Sequence, residues 1–208
     1  MTKKGYTHIA LVVDRSGSMQ SIAADMNGGM ATFLSEQAAL PGEVTVDVTI
    51  FDTEVDTPYT LVDALDVEFP ILVPRGGTAL NDALCTTIVK LGESLAKMDE
   101  ANRPEHVIVL VVTDGEENSS REYTTEQAKA MVGKQIEEWQ WEFIFMAANI
   151  DAFAAARDYG IGRGQTMSYD ATAKGAGGTW AAASASATRT RSGLVSDFTE
   201  EERQEAGG

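Results

Sequence analysis

Two unbroken apolar runs set the architecture this chain can adopt. Ile9-Ala10-Leu11-Val12-Val13 and Val107-Ile108-Val109-Leu110-Val111-Val112 show no polar alternation, the pattern of strands covered on both faces rather than strands with one wet side. Strands of that kind belong in the centre of a parallel sheet. A third run, from Trp141 to Ala147, reads as a further strand whose aromatics belong to the core.

Between these runs the period becomes helical. Met19, Ile22, Met26, Met30, Phe33 and Leu34 share one face of a helix ending near Leu40-Pro41-Gly42, and Leu80, Leu84, Ile88, Leu91, Leu95 and Met98 mark a second helix over residues 79–98. Cys85 beside that stripe reads as a packed free thiol. Gly28-Gly29 inside the first helix costs up to about 1 kcal/mol per residue relative to Ala, which signals a close approach to another element or a local irregularity. Residues 44–51 and 55–62 flank the turn-like Asp52-Thr53-Glu54 and predict an antiparallel hairpin at one sheet edge. A third helix from residues 124–126 to Trp139, a fourth over 152–159 and a short strand at 165–168 complete the alternation. The order predicts a doubly wound α/β sandwich: a mostly parallel sheet, helices on both faces and one antiparallel edge strand.

The C-terminal part is read differently. Gly175, Gly177 and Gly178 are expected to form a turn feeding an Ala-rich helix over residues 178–191, within a single domain of residues 1–192 whose core spans about 7–170. The acidic stretch 193–208 is expected to be a loosely held tail, although Thr199-Glu200-Glu201-Glu202 can cap one helical turn.

With 208 residues the chain is long enough for one sizeable core, and 16 Lys plus Arg against 32 Asp plus Glu give a net charge of -16. That field opposes a general role on nucleic-acid backbones or anionic lipid. No apolar run approaches the ~20 residues of a membrane span. With no export signal, and with one cysteine that has neither a disulfide partner nor zinc-ligand spacing, a reducing, cytoplasmic setting is expected.

The first strand runs into Asp14-Arg15-Ser16-Gly17-Ser18 and the later one into Asp114-Gly115-Glu116-Glu117-Asn118, so both carboxylates leave the same sheet edge. Pro74-Arg75-Gly76-Gly77-Thr78 brings a hydroxyl to that edge at the mouth of the second helix. Asp14, Ser16, Ser18, Thr78 and Asp114 offer oxygen only, which suits hard divalent ions such as Mg²⁺ or Ca²⁺. Two carboxylates and three hydroxyls are few for a closed calcium cage and suit an octahedral Mg²⁺ that keeps waters and an open position; Mn²⁺ can substitute. If one aspartate binds only through water, the direct shell carries about one negative charge and the ion still attracts an external carboxylate, so a partner's Asp or Glu is the expected ligand. Arg15, Gly76, Gly77, Glu116 and Glu117 make the expected partner-contact rim. Solvent-facing roles compete for Arg15 and for the two glutamates.

Asp-x-Ser-x-Ser after a strand, Thr78 in Gly-Gly-Thr-Ala and Thr-Asp-Gly after a second strand resemble the metal-ion-dependent adhesion site (MIDAS) of von Willebrand factor A domains. The resemblance spans about residues 7–159. It implies a Rossmann-like sandwich in which Ser16, Ser18 and Thr78 are hydroxyl ligands, while Asp14 and Asp114 bind directly or through water. The wording Arg103-Pro104-Glu105-His106-Val107, residues 114–119 and Asn149-Ile150-Asp151-Ala152-Phe153 is similar to stand-alone bacterial and bacteriophage members. Some members of the family work beside MoxR-type AAA+ ATPases, which makes such an ATPase an implied partner class.

Four other readings have to be weighed. Asp-x-Ser-x-Ser alone suits a strand-to-helix cap. A Mg²⁺-dependent phosphoryl-transfer or hydrolytic enzyme would use the same residue types, but the second aspartate of an Asp-x-Asp motif and a catalytic lysine are missing. A Ser-His-Asp hydrolase is opposed by His8 and His106, which at ~3.3 Å per residue start their strands roughly 20 Å or more from the site, and by the missing Gly-x-Ser-x-Gly elbow. A scaffold that binds metal only for stability is the fourth.

Overall fold

In a computed structural model, which describes residues 1–207, the strands are β1 (Lys3–Asp14), β2 (Glu43–Phe51), β3 (Val55–Asp63), β4 (Pro104–Thr113), β5 (Glu142–Ala147) and β6 (Thr166–Ser168). The helices are α1 (Ala23–Ala39), α2 (Leu80–Ala96), α3 (Thr125–Trp139), α4 (Ala152–Asp158), α5 (Ala173–Arg191) and α6 (Glu200–Ala206). The six strands form one sheet in the order β3-β2-β1-β4-β5-β6. All neighbours are parallel except the β2–β3 hairpin, which supplies the antiparallel edge.

The apolar runs occupy the centre for the reason their pattern gives. Residues 9–13 and 108–112 have no exposed surface. Ile9, Leu11, Val13, Ile108, Leu110 and Val112 pack on one face with residues of α1 and α5, whereas Ala10, Val12, Val109 and Val111 pack on the other with residues of α2, α3 and α4. Strand order reverses between β1 and β4, because the chain first winds outward to β2 and β3 and later returns to the other side of β1. The crevice at such a reversal, outside the carboxyl ends of the strands, is where open α/β sheets bind ligands.

Gly29 marks a close approach, as its helix position suggested. A Cβ there would lie 2.1 Å from Trp180 Cδ1, so the α5 indole rests directly on the α1 backbone. Gly28 faces open space.

The C-terminal part departs from expectation twice. Helix α5 begins at Ala173, where the Thr172 hydroxyl accepts a hydrogen bond from Gly175 N at 3.1 Å, so Gly175, Gly177 and Gly178 are helical rather than a turn before the helix. Close packing explains two of them: a Cβ on Gly175 would meet Asp170 O at 2.1 Å, and one on Gly178 would meet Glu205 O at 2.6 Å. The acidic segment, expected as a loose tail, folds back as α6 against α5. Thr199 and Glu202 form a capping box, Arg189 grips the Glu202 carboxylate at 2.8 and 3.0 Å, and Phe198 and Ala206 are buried. Acidic residues in its first turn, which made the segment look merely solvated, complement the helix dipole.

Two predictions follow from this packing. Gly29→Ala should destabilise the protein by about 1–3 kcal/mol through overpacking, whereas Gly28→Ala should stabilise it by up to about 1 kcal/mol; urea unfolding of the two variants measures both signs. Burial, then the nearby Asp82 charge, pushes the Cys85 thiol up to about 12. Because the thiolate is the reactive form, a thiol-reactive disulfide reagent at pH 8 should leave the native protein unlabelled while labelling the urea-unfolded chain fully.

Candidate metal centre

Asp14 is the last residue of β1 and has no exposed surface. Its Oδ1 accepts from Ser16 N at 2.6 Å, and its Oδ2 accepts from Thr113 Oγ1, at the end of neighbouring β4, at 2.6 Å. Burial pushes this carboxyl up to about 6; hydrogen bonds from Thr113 and Ser16 oppose the rise and the Asp114 charge adds to it. Asp114, also buried, accepts from Ser18 Oγ at 2.5 Å through Oδ1, and Ser18 Oγ lies 3.0 Å from Ser16 Oγ. Burial raises its carboxyl as well, against the hydrogen bonds from Ser18 and Ser16. Its other oxygen, Oδ2, is buried with no hydrogen-bond partner. A buried carboxylate oxygen without a donor is costly, and a cation beside it removes that cost.

The hydroxyls are not spent as helix caps. Ser16 sits at the N-cap of the 3-10 turn Gly17–Ser21 without a side-chain capping bond, and α1 and α2 start after Ile22 and Ala79, neither of which caps with its side chain. The strand-to-helix cap reading therefore does not describe this loop. Thr78 is 2% exposed. A Cβ on Gly115 would fall 3.1 Å from Thr78 Oγ1 and 3.8 Å from Ser18 Oγ, so the glycine after Asp114 leaves open the space these two hydroxyls border. The structure thus brings Asp14, Ser16, Ser18, Thr78 and Asp114 together from three loops. Among the described residues no group of three or more His, Cys, Asp or Glu side chains is placed to hold a metal, so the candidate centre rests on two carboxylates combined with hydroxyls.

The expected rim is only partly a rim. Gly76 and Glu116 are exposed and Gly77 is half-buried. Arg15, expected at the surface, turns inward: Nε donates to Asp52 Oδ2 at 2.7 Å and Nη2 donates to Asp56 Oδ2 at 2.5 Å, leaving its side chain 10% exposed. Glu117 is likewise a fastener rather than a partner contact. Its carboxylate accepts from Asn81 N at 2.8 Å in the first turn of α2, from Ser120 Oγ at 2.7 Å, and from Ser119 N and Ser120 N at 3.0 and 2.8 Å.

Several residues that hold the site carried no motif of their own. Asn118 Oδ1 accepts from Thr78 N at 2.9 Å, while Thr78 O accepts from Asn118 N and Ser119 N at 3.0 and 3.1 Å. Gly77 permits that approach, since a Cβ there would meet Ser119 Oγ at 2.4 Å. Asp82 accepts from the backbone N–H groups of Arg121, Glu122 and Tyr123 at 2.8, 3.0 and 2.9 Å, pinning the same loop to α2. Thr113 was visible only as the residue before Asp114. His8 belongs to another region: it lies in the middle of β1 rather than at its start, with Nδ1 2.9 Å from Thr45 Oγ1.

No protein-family model and no curated protein sequence matches the chain. Solved structures do. Proximal thread matrix protein 1 of the mussel byssus superposes with a TM-score of 0.61 at 14% identity, over 87% of this chain and 46% of that one. A von Willebrand factor type A protein from Catenulispora acidiphila gives 0.57 at 13% identity, over 88% and 42%, and the D319A mutant of the PilB minor pilin from Streptococcus sanguinis gives 0.58 at 10% identity, over 90% and 62%. Another structure of the mussel protein, similar with a TM-score of 0.59 at 15% identity over 82% and 42%, has a zinc-occupied MIDAS motif. The chain spans less than two thirds of the length of each of these structures. At such identities the likeness is one of fold, and the chain has the fold of a von Willebrand factor A domain.

Proposed function

We propose that this protein is a divalent-cation-dependent protein-binding module. Asp14, Ser16, Ser18, Thr78 and Asp114 would hold the ion, and a partner's Asp or Glu would complete its shell. The observation that carries this reading is the buried Asp114 Oδ2 without a donor, in an all-oxygen group that includes a second buried carboxylate, Asp14. Mg²⁺ suits this donor set best, with Mn²⁺ and Ca²⁺ as alternatives. The zinc-occupied motif of the mussel protein supports a divalent ion in this fold. When bound, the ion would supply a positive centre able to accept a carboxylate oxygen.

The chain's own residues do the positioning. Ser16 N and Thr113 Oγ1 fix the two oxygens of Asp14, Ser18 fixes one oxygen of Asp114, and Gly115 keeps the space beside Thr78 clear. Binding rather than catalysis is supported by the state of the hydroxyls: Ser18 is bonded to Asp114 and faces Ser16, and His8 is engaged by Thr45 far along β1. No helix among the described residues is long and apolar enough to cross a membrane. With a buried free thiol, we place the protein in a reducing, cytoplasmic setting.

Titration of chelator-stripped protein with Mg²⁺, Mn²⁺ and Ca²⁺ should give one saturable site, absent in Asp14→Ala. Metal at a hundred times its Kd should add about 2.7 kcal/mol to the unfolding free energy, read as a rise in Tm that chelator reverses. A wild-type protein with no saturable binding would overturn the proposal. Retention of a partner, a MoxR-type ATPase being one to try, should require Mg²⁺ and weaken more than metal affinity in Thr78→Ala. Metal-dependent melting without any metal-dependent retention would instead favour a scaffold.

A further inference from the structure

Three loops around the candidate centre are tied together by one residue that is not among the ligands. Asp52 lies in the turn between β2 and β3 and is 1% exposed. Its Oδ2 accepts from Arg15 Nε at 2.7 Å and from Arg75 Nε at 2.7 Å, while its Oδ1 accepts from Glu54 N at 2.8 Å and Thr53 Oγ1 at 3.3 Å. Its backbone takes part too: Asp52 O accepts from Ala79 N at 2.7 Å. The two arginines therefore enter one buried carboxylate from two different loops.

The backbone lacing follows the same plan. Arg15 N donates to Phe51 O at 2.7 Å, Arg75 N donates to Arg15 O at 2.8 Å, and Gly17 N donates to Gly76 O at 3.2 Å. Gly76, at φ +66°, lies so close to the turn that a Cβ would meet Thr53 Oγ1 at 3.1 Å and Asp52 Cβ at 3.3 Å. Ser16 thus sits between two tethered residues, Arg15 and Gly17, and Thr78 is framed by tethered Gly76 and Ala79. Charge points the same way. Asp56 and Glu54 take the outer nitrogens of Arg15 and Arg75, so with Asp52 the two guanidinium charges beside the loops are offset.

We propose that Asp52 is a positioning residue that clamps the Ser16 and Thr78 loops at one spacing, and so sets the pair of hydroxyls offered to a cation. The cation half of this statement rests on the binding function proposed above; the clamp half does not. Without the clamp the two loops have separate anchors, and Arg15, buried one residue from Asp14, keeps its charge with one partner fewer, a charge that opposes a nearby cation.

The test compares wild type with Asp52→Asn, with Arg75→Gln, which cuts one tether at a half-exposed side chain, and with Ile88→Val, a core change remote from the loops. Amide hydrogen exchange without metal should quicken at least tenfold at both Gly17 and Ala79 in Asp52→Asn, and less in Arg75→Gln. Exchange that is unchanged at these two amides, or that rises only in step with the whole domain as in Ile88→Val, would overturn the clamp. Mn²⁺ titration should show at least tenfold weaker binding in Asp52→Asn, a smaller loss in Arg75→Gln and none in Ile88→Val. Equal Mn²⁺ affinity in all four proteins would overturn the positioning role, since a merely structural residue moves stability but not affinity. A wild type that takes up no Mn²⁺ would remove the binding function, and the exchange result would then decide the clamp alone.

Discussion

The arrangement at the centre depends on β1 and β4 lying side by side, in register, in a sheet that is dry on both faces. Val13 pairs with Val112, and one step further Thr113 donates across to Asp14 while the chain turns to present Asp114. Neither carboxylate could be placed there by a flexible loop alone. The same dryness that fixes them raises both carboxyls, Asp14 to about 6, because burial disfavours the charged form. A fold that buries two acids at one edge and leaves an oxygen of one without a donor has a strong electrostatic preference for a positive charge at that point, which is the physical basis for the proposed cation.

The loops that complete the site are irregular, and irregular backbone needs partners for its N–H groups. In this protein carboxylates supply them. Glu117 serves Asn81, Ser119 and Ser120, Asp82 serves residues 121–123, and Asp52 serves Glu54 as well as two arginines. Each fastens a loop to a rigid neighbour, either the start of α2 or the end of β2. The geometry of Thr78 is held from both sides by such contacts, through Asn118 on one and the Asp52 carbonyl next to Ala79 on the other.

What could be read from the sequence divides along the range of the interactions. The central strands, the helical stripes and the hairpin were legible because burial on one or both faces writes a period into neighbouring residues. The gathering of Asp14, Ser16, Ser18, Thr78 and Asp114 was legible because each follows a strand or precedes a helix, so topology alone brings them to one edge. Arg15 was misread because its partners, Asp52 and Asp56, are 37 and 41 residues away, and nothing local to Asp-Arg-Ser announces an inward turn. Glu117 was misread partly for the same reason, since Asn81 is 36 residues away, although its other partners, Ser119 and Ser120, are local. The glycines of α5 suggested a turn because helix propensity penalises them, but at Gly175 and Gly178 the backbones of Asp170 and Glu205 occupy the space a side chain would need. The acidic C-terminal segment resembled a tail because the apolar contacts that dock it, Phe198 and Ala206, are few and widely spaced.

The net charge of -16 bears on the proposed partner in a way that its size alone does not convey. At physiological ionic strength charges more than about 8 Å apart are largely screened, so the total matters less than the acids beside the loops. Of those, Asp52, Asp82 and Glu117 are turned inward and hydrogen-bonded, and the exposed Glu54 and Asp56 are paired with Arg75 and Arg15. Among the described residues, Glu116 and Glu122 are exposed carboxylates of this loop group without such an ion pair. An approaching carboxylate therefore meets a surface whose local charges are mostly compensated, and two buried carboxyls that are not. Without a cation those two oppose its approach, and with one they hold the charge that attracts it. Recognition of an acidic group by so acidic a chain would then be conditional on the ion.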